Sequence, residues 1–137
     1  MKLIGFNINK ISAEKISSDF KGLKIENSIK IEEISSTKTD FFKKNEEVIQ
    51  VLFDYTLNYN PNLAKLAFSG SLILLMDEKE AKNILKQWES KKISEETKLP
   101  LFNLILRKTN IRALELEDEL NLPLHLNLPS LKSQKKE

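Results

Sequence analysis

The hydrophobic period of this chain changes near Asp77. Before it, apolar residues recur at every second position, and after it, as far as about Leu120, they recur at helical spacing. Strand side chains alternate between faces while helix side chains return after about one turn, so this change predicts a strand half followed by a helix half. Residues 3–12 alternate Ile4, Phe6 and Ile8 with Gly5, Asn7 and Asn9. In residues 22–34, Leu23, Ile25, Ile29 and Ile31 share one face, and Lys24, Glu26, Ser28, Lys30 and Glu32 share the other. Residues 47–59 set Ile49, Val51, Phe53, Tyr55, Leu57 and Tyr59 against Gln50, Asp54, Thr56 and Asn58. Residues 63–76 put Ala64, Leu66, Phe68, Leu72 and Leu74 on one side; their second half is apolar at both parities and should be covered on both faces. Gly70, in the middle of that strand, suggests a bulge or a close approach by another element. Residues 35–46 are the loop between the second and third strands, with Phe41 and Phe42 expected to tuck against the core, and Asn60-Pro61-Asn62 is a turn signal. The prediction is a four-stranded antiparallel meander.

Asp77-Glu78-Lys79-Glu80 opens the helical half, with the Asp77 carboxylate placed to accept from a first-turn N–H. Ala81, Ile84, Leu85 and Trp88 follow at helical spacing, and the helix ends near Lys91. A second helix begins between Ser94 and Pro100 and runs to about Leu120, with Phe102, Ile105, Leu106, Ala113, Leu116 and Leu120 as its stripe. Pro100 is expected to start its main body or to kink it. Glu115, Glu117, Asp118 and Glu119 make its last turns acidic, against the preference of the helix dipole, and are expected to be solvated. Beyond it, Leu120, Leu122, Leu124, Leu126 and Leu128 alternate with Asn, His and Pro in an extended strap. That ladder is expected to lie on an apolar surface and close the domain's own core. The fold class is therefore α+β: four strands, two C-terminal helices and a Pro/Leu-rich strap. Residues 1–131 form a single domain, and residues 132–137 a basic, frayed tail.

Composition narrows the function classes. There is no Cys, so a disulfide framework, a thiolate metal site and a cysteine nucleophile are all excluded. The charge is nearly balanced, with 22 basic and 20 acidic residues, which makes nucleic acid an unexpected partner. The apolar start breaks too early for a signal peptide, and the longest apolar run, Leu72 to Met76, is far too short to span a bilayer. A cytoplasmic protein without membrane insertion is expected. The single His, His125, has no Cys or second His beside it and is read as a surface or rim residue rather than a metal ligand. No glycine-rich phosphate loop or nucleophile elbow appears, so no cofactor and no enzymatic activity are expected.

The chain does offer apolar area. Leu52, Ala67, Ile73 and Leu75 point to the sheet face opposite the one the helices should cover, and that face is expected to need a partner: a second subunit or a client. An exposed first strand could also pair across a two-fold axis.

Four segments together resemble the SecB-like export chaperones. Ile4 to Ile16 is similar to that family's first strand, and Glu47 to Leu75 to its long central hairpin. Leu99 to Leu106 is similar to the start of its final helix, and Leu122 to Leu128, closed by Pro129, to its Pro- and Leu-rich end. The resemblance implies ATP-independent holding of unfolded or nascent polypeptides, with a role in protein export, by a homo-oligomer that is a dimer or tetramer. It implies a peptide-binding surface drawn from Phe53, Tyr55, Leu57, Phe68, Phe102, Leu124, Leu126 and Leu128. The chain departs from the family in charge: those chaperones are markedly acidic on the surface that docks the translocase motor, and this chain is slightly basic. The competing expectation is a non-enzymatic accessory protein that docks a ribosomal or other ribonucleoprotein surface through Lys91-Lys92 and the basic tail.

Overall fold

A computed structural model describes residues 1–37 and 45–131. The expectations for Phe41, Phe42 and the tail 132–137 lie outside the described residues. The elements are β1 (Lys2–Lys15), β2 (Lys24–Thr37), β3 (Glu46–Asn60), β4 (Ala64–Asp77), α1 (Glu78–Trp88) and α2 (Glu95–Glu119), as the α+β reading anticipates. The helix starts follow local chemistry. Asp77 Oδ1 accepts from the Glu80 N–H at 2.7 Å, while Ser94 caps α2, which runs through Pro100 rather than starting there.

The strand order corrects the meander. All pairings are antiparallel, but the sheet runs β1-β4-β3-β2, so only β2, β3 and β4 form a meander and β1 lies beside β4. This is a Greek-key order. Between β3 and β1 both backbone edges of β4 are hydrogen-bonded, so its apolar run Leu72–Met76 is not left as an open edge. Its second face is not sealed as expected: Ile73 and Leu75 stay half-buried there. The link from β1 to β2 crosses the end of the β3–β4 hairpin, where the Ile16 and Ser17 N–H groups donate to the Leu63 carbonyl at 2.8 and 3.0 Å. Gly70 marks the close approach that its position suggests. A Cβ there would run into the Asn7 carbonyl oxygen and the Phe53 ring, at the register shift between Ile8 and Lys10.

One sheet face carries the core. Ile49, Val51, Phe53, Tyr55, Leu57 and Tyr59 of β3 pair with Leu66, Phe68, Leu72 and Leu74 of β4 and are sealed by Ala81, Ile84 and Trp88 of α1 and Leu101, Ile105, Ala113 and Leu116 of α2. Each such side chain contributes roughly 1.5–3 kcal/mol by leaving water. The Phe6 and Phe53 rings stack at 5.6 Å, and the Tyr55 and Phe68 rings meet at 6.0 Å. The opposite face is mixed. Leu52, Ala67, Ile73 and Leu75 are half-buried there, while Asp54 accepts from the Ser69 hydroxyl at 2.6 Å. The Ser69 hydrogen bond, followed by one from Glu32, holds the Asp54 carboxyl below its usual range.

Candidate functional site

The helix layer does not cover the sheet evenly. α2 packs mainly on the inner strand β4, whereas β2 is an outer strand and touches the helix layer mainly through α1. Ile25, Ile29 and Ile31 of β2 share the core face with β3 but remain half-buried. Between them and α2 runs a seam with two concavities. One, of about 470 Å³, is bounded by Ile29, Ile31, Trp88, Ile93 and Phe102, with Lys30, Lys91, Lys92 and Lys98 around it. The other, of about 520 Å³, is bounded by Ile25, Asn27, Leu57, Leu106, Asn110, His125 and Leu126, with Glu26 beside them. From Ile25 to Ile31 the strand extends roughly 20 Å. Along that length its outer N–H and C=O groups have no strand partner among the described residues.

Trp88 sits at one end of the seam. Its Nε1–H donates to Glu33 Oε1 at 2.7 Å, and the Lys91 ammonium lies 4.9 Å from its ring centroid. The Trp88 hydrogen bond is the main reason the Glu33 carboxyl titrates below the usual carboxylate range.

At the other end a buried polar network fastens the strap. Glu117 is fully buried and accepts from the Tyr59 hydroxyl, from the His125 backbone N–H at 3.0 Å, and faces His125 Nδ1 at 2.7 Å. His125 Nε2 lies 2.9 Å from Asn110 Oδ1, which also accepts from the Tyr55 hydroxyl at 3.1 Å. Burial pushes both tyrosine hydroxyls above their ordinary range, and for Tyr59 the Glu117 carboxylate adds to the effect.

This arrangement corrects three expectations. His125 is not a rim residue, since its side chain is 3% exposed. Glu117 leaves the solvated acidic cluster and turns inward. The leucine ladder does not lie on the core: Leu122 is buried, but Leu124, Leu126 and Leu128 are 39%, 42% and 56% exposed. The cause is the buried carboxylate. An uncompensated buried charge costs far more than a wet leucine, so His125 takes the inward position and its neighbours Leu124 and Leu126 turn outward. The helix end sets this up. Asn121 adopts φ 55°, and the Leu122 N–H returns to the Glu117 carbonyl at 2.8 Å, which reverses the chain over the network.

The residues expected at a peptide surface therefore separate. Phe53, Tyr55, Leu57 and Phe68 are at most 1% exposed beneath the helices, with Leu57 forming the floor of the second concavity. Phe102 walls the first concavity, and Leu126 stands at the mouth of the second. Leu124 and Leu128 are exposed and line neither. The seam's other walls, Ile25, Ile29, Ile31, Trp88, Ile93 and Leu106, were not expected there. Their one signal is that β2 offers fewer and smaller apolar groups than β3. Among the described residues no cluster of His, Cys, Asp or Glu could hold a metal, and no helix is long and apolar enough to cross a membrane.

No protein-family model matches the chain, and no curated protein matches it. Among solved structures it is similar to the SecB-like chaperone Rv1957 of Mycobacterium tuberculosis, determined in complex with a ChAD peptide from the Rv1956 HigA1 antitoxin. The identity is 14%, the TM-score is 0.49, and the match covers 98% of this chain and 92% of that one.

Proposed function

We propose that this protein is an ATP-independent chaperone that holds non-native polypeptide segments in the seam between β2 and α2. A single observation carries the reading: half-buried isoleucines run beside an edge strand whose backbone groups are unpaired, with Trp88 and Phe102 at one end. An extended chain can take both from such a place, backbone pairing along the strand and side-chain burial in the concavities. Affinity of this kind does not depend on one sequence, which suits a binder of unfolded chains. The binding surface is then Phe102, Leu126 and the seam isoleucines. Phe53, Tyr55, Leu57 and Phe68 form its rigid floor, and Leu124 and Leu128 extend the strap outward.

The same reading includes assembly and a part in protein export. β1 is the other sheet edge and exposes Ile4 and Ile11, with Ile16 exposed just past its end. Pairing of two β1 edges would make a dimer, and burial of Leu52, Ile73 and Leu75 between copies would add to it. Light scattering should return a dimer or tetramer.

The test is suppression of aggregation of a chemically unfolded enzyme, without nucleotide, at substoichiometric dose. Wild type should suppress it, and Ile29→Asp with Phe102→Asp should not, at unchanged helix content. Wild type without effect would count against the proposal. The second reading, docking on a ribonucleoprotein surface, draws on Lys91 and Lys92. It predicts binding that falls steeply with salt. It is weaker because Lys91 already pairs with Glu33 at 3.6 Å.

A further inference from the structure

The concavity beside Trp88 has a rim that its apolar floor does not require. Lys30, Lys91, Lys92 and Lys98 surround it and no carboxylate lines it, in a chain with 20 acidic residues. Two of these charges already have partners: Lys30 is 3.5 Å from Glu32, and Lys91 is 3.6 Å from Glu33. Among the described residues no ion pair reaches Lys92 or Lys98. Nor do the charges all reach away from the concavity. The Lys98 ammonium is 5.3 Å from the Phe102 ring centroid, as Lys91 is over Trp88. A carboxylate arriving beside an aromatic or aliphatic side chain would meet two unneutralised cations, Lys92 exposed and Lys98 half-buried, at the rim. A lysine arriving there would meet repulsion, which sharpens selection as much as attraction does.

We infer, on the basis of the polypeptide-binding reading above, that this groove selects extended apolar segments flanked by acidic residues. Lys92 and Lys98 are its specificity-determining charges. Single-stranded nucleic acid also combines negative charge with flat rings that stack on aromatics. The floor argues for peptide, because Ile29, Ile31 and Ile93 are aliphatic and the adjoining strand edge offers amide groups to another backbone.

Trp88 is the only tryptophan, so its emission reports on this one concavity. Short synthetic peptides with a shared Leu/Phe core and Glu, Ser or Lys flanks would be titrated against wild type and against the K92Q/K98Q double variant. At low salt the Glu-flanked peptide should bind about tenfold more tightly than the Lys-flanked one, a gap expected for two or so exposed charge contacts. The gap should close at high salt and in the double variant. If all three peptides bind and the Lys-flanked one binds as well or better, the selectivity is wrong while the groove remains a peptide site. If no peptide shifts Trp88 emission, the polypeptide-binding reading itself falls and this inference with it. Displacement of the Glu-flanked peptide by a lower concentration of oligouridine would overturn the assignment in favour of a nucleic-acid site.

Discussion

β2 and β3 are bonded neighbours that present the same face to the helices, and they meet different fates. Phe53, Tyr55 and Leu57 of β3 are dry, while their cross-strand partners Ile31, Ile29 and Asn27 stand at the open side of the seam. Hydrophobicity alone does not set this difference, because isoleucine is as apolar as any residue of β3. It is set by reach. α1 reaches β2 as well as β3 and β4, but α2 packs on β4 rather than on β2, so the α2 side of β2 is left open. Apolar groups under both helices build stability, and those on the α2 side of β2 are the ones proposed to receive a guest.

Substitutions on the two strands should therefore separate stability from binding. The largest effect is expected from Phe53→Ala, which opens a void against Phe6 and Gly70 and should cost about 3–5 kcal/mol in a denaturant melt. Glu117→Ala should cost about 3 kcal/mol, because the Tyr59 hydroxyl, the His125 N–H and the His125 ring lose their shared acceptor at once. Its particular signature is early proteolysis between Leu122 and Leu131, where the strap loses its fastening. Ile31→Ala, on the open side, should cost only about 1 kcal/mol in the same melt yet weaken peptide binding several-fold. Equal losses of stability from Phe53→Ala and Ile31→Ala would break the comparison.

The tyrosines of β3 add a pH test. Their hydroxyls ionise at higher pH in the folded protein than in the unfolded chain, where the phenol titrates near the ordinary value of about 10. The folded state therefore holds protons that the unfolded state releases. That stabilisation is complete below about pH 10 and is lost as the pH rises through the folded values. Thermal stability should fall above about pH 10, and Tyr59→Phe should shallow the fall. An unchanged slope in Tyr59→Phe would show that ionisation of the Tyr59 hydroxyl does not drive the fall.

The sealed half of the fold was legible because a period of two over Ile49 to Tyr59 names the buried face outright, whatever covers it. The start of α1 was legible because the Asp77 carboxylate caps it with local chemistry, and α2 starts at Ser94, which holds the N-cap position without a side-chain cap bond. The position of β1 was not legible, since β1 could pair with β2 through a local link or with β4 through a longer one. Pairing with β4 closes the backbone edge of its apolar run, which a local β1–β2 hairpin would have left open. The proposed binding residues were legible as apolar but not as exposed. Alternation tells which way Ile29 and Phe53 point, and both point the same way; the placement of α2 over β4 rather than β2 separates them. The strap misled for a related reason. Five alternating leucines outvote one histidine in any count of apolar residues, yet one buried carboxylate on α2 fixed the parity.

The central claim is that the uncovered side of the sheet is where a polypeptide binds, and hydrogen exchange on the bound complex tests it most directly. With a permanently unfolded client in excess, the amides of Ile25 to Ile31 in β2 and those around Phe102 to Asn110 in α2 should gain protection, while the amides of β3, already slow, should not change. Binding that leaves β2 unprotected, or that protects the opposite sheet face around Leu52 and Ile73 instead, would contradict the account.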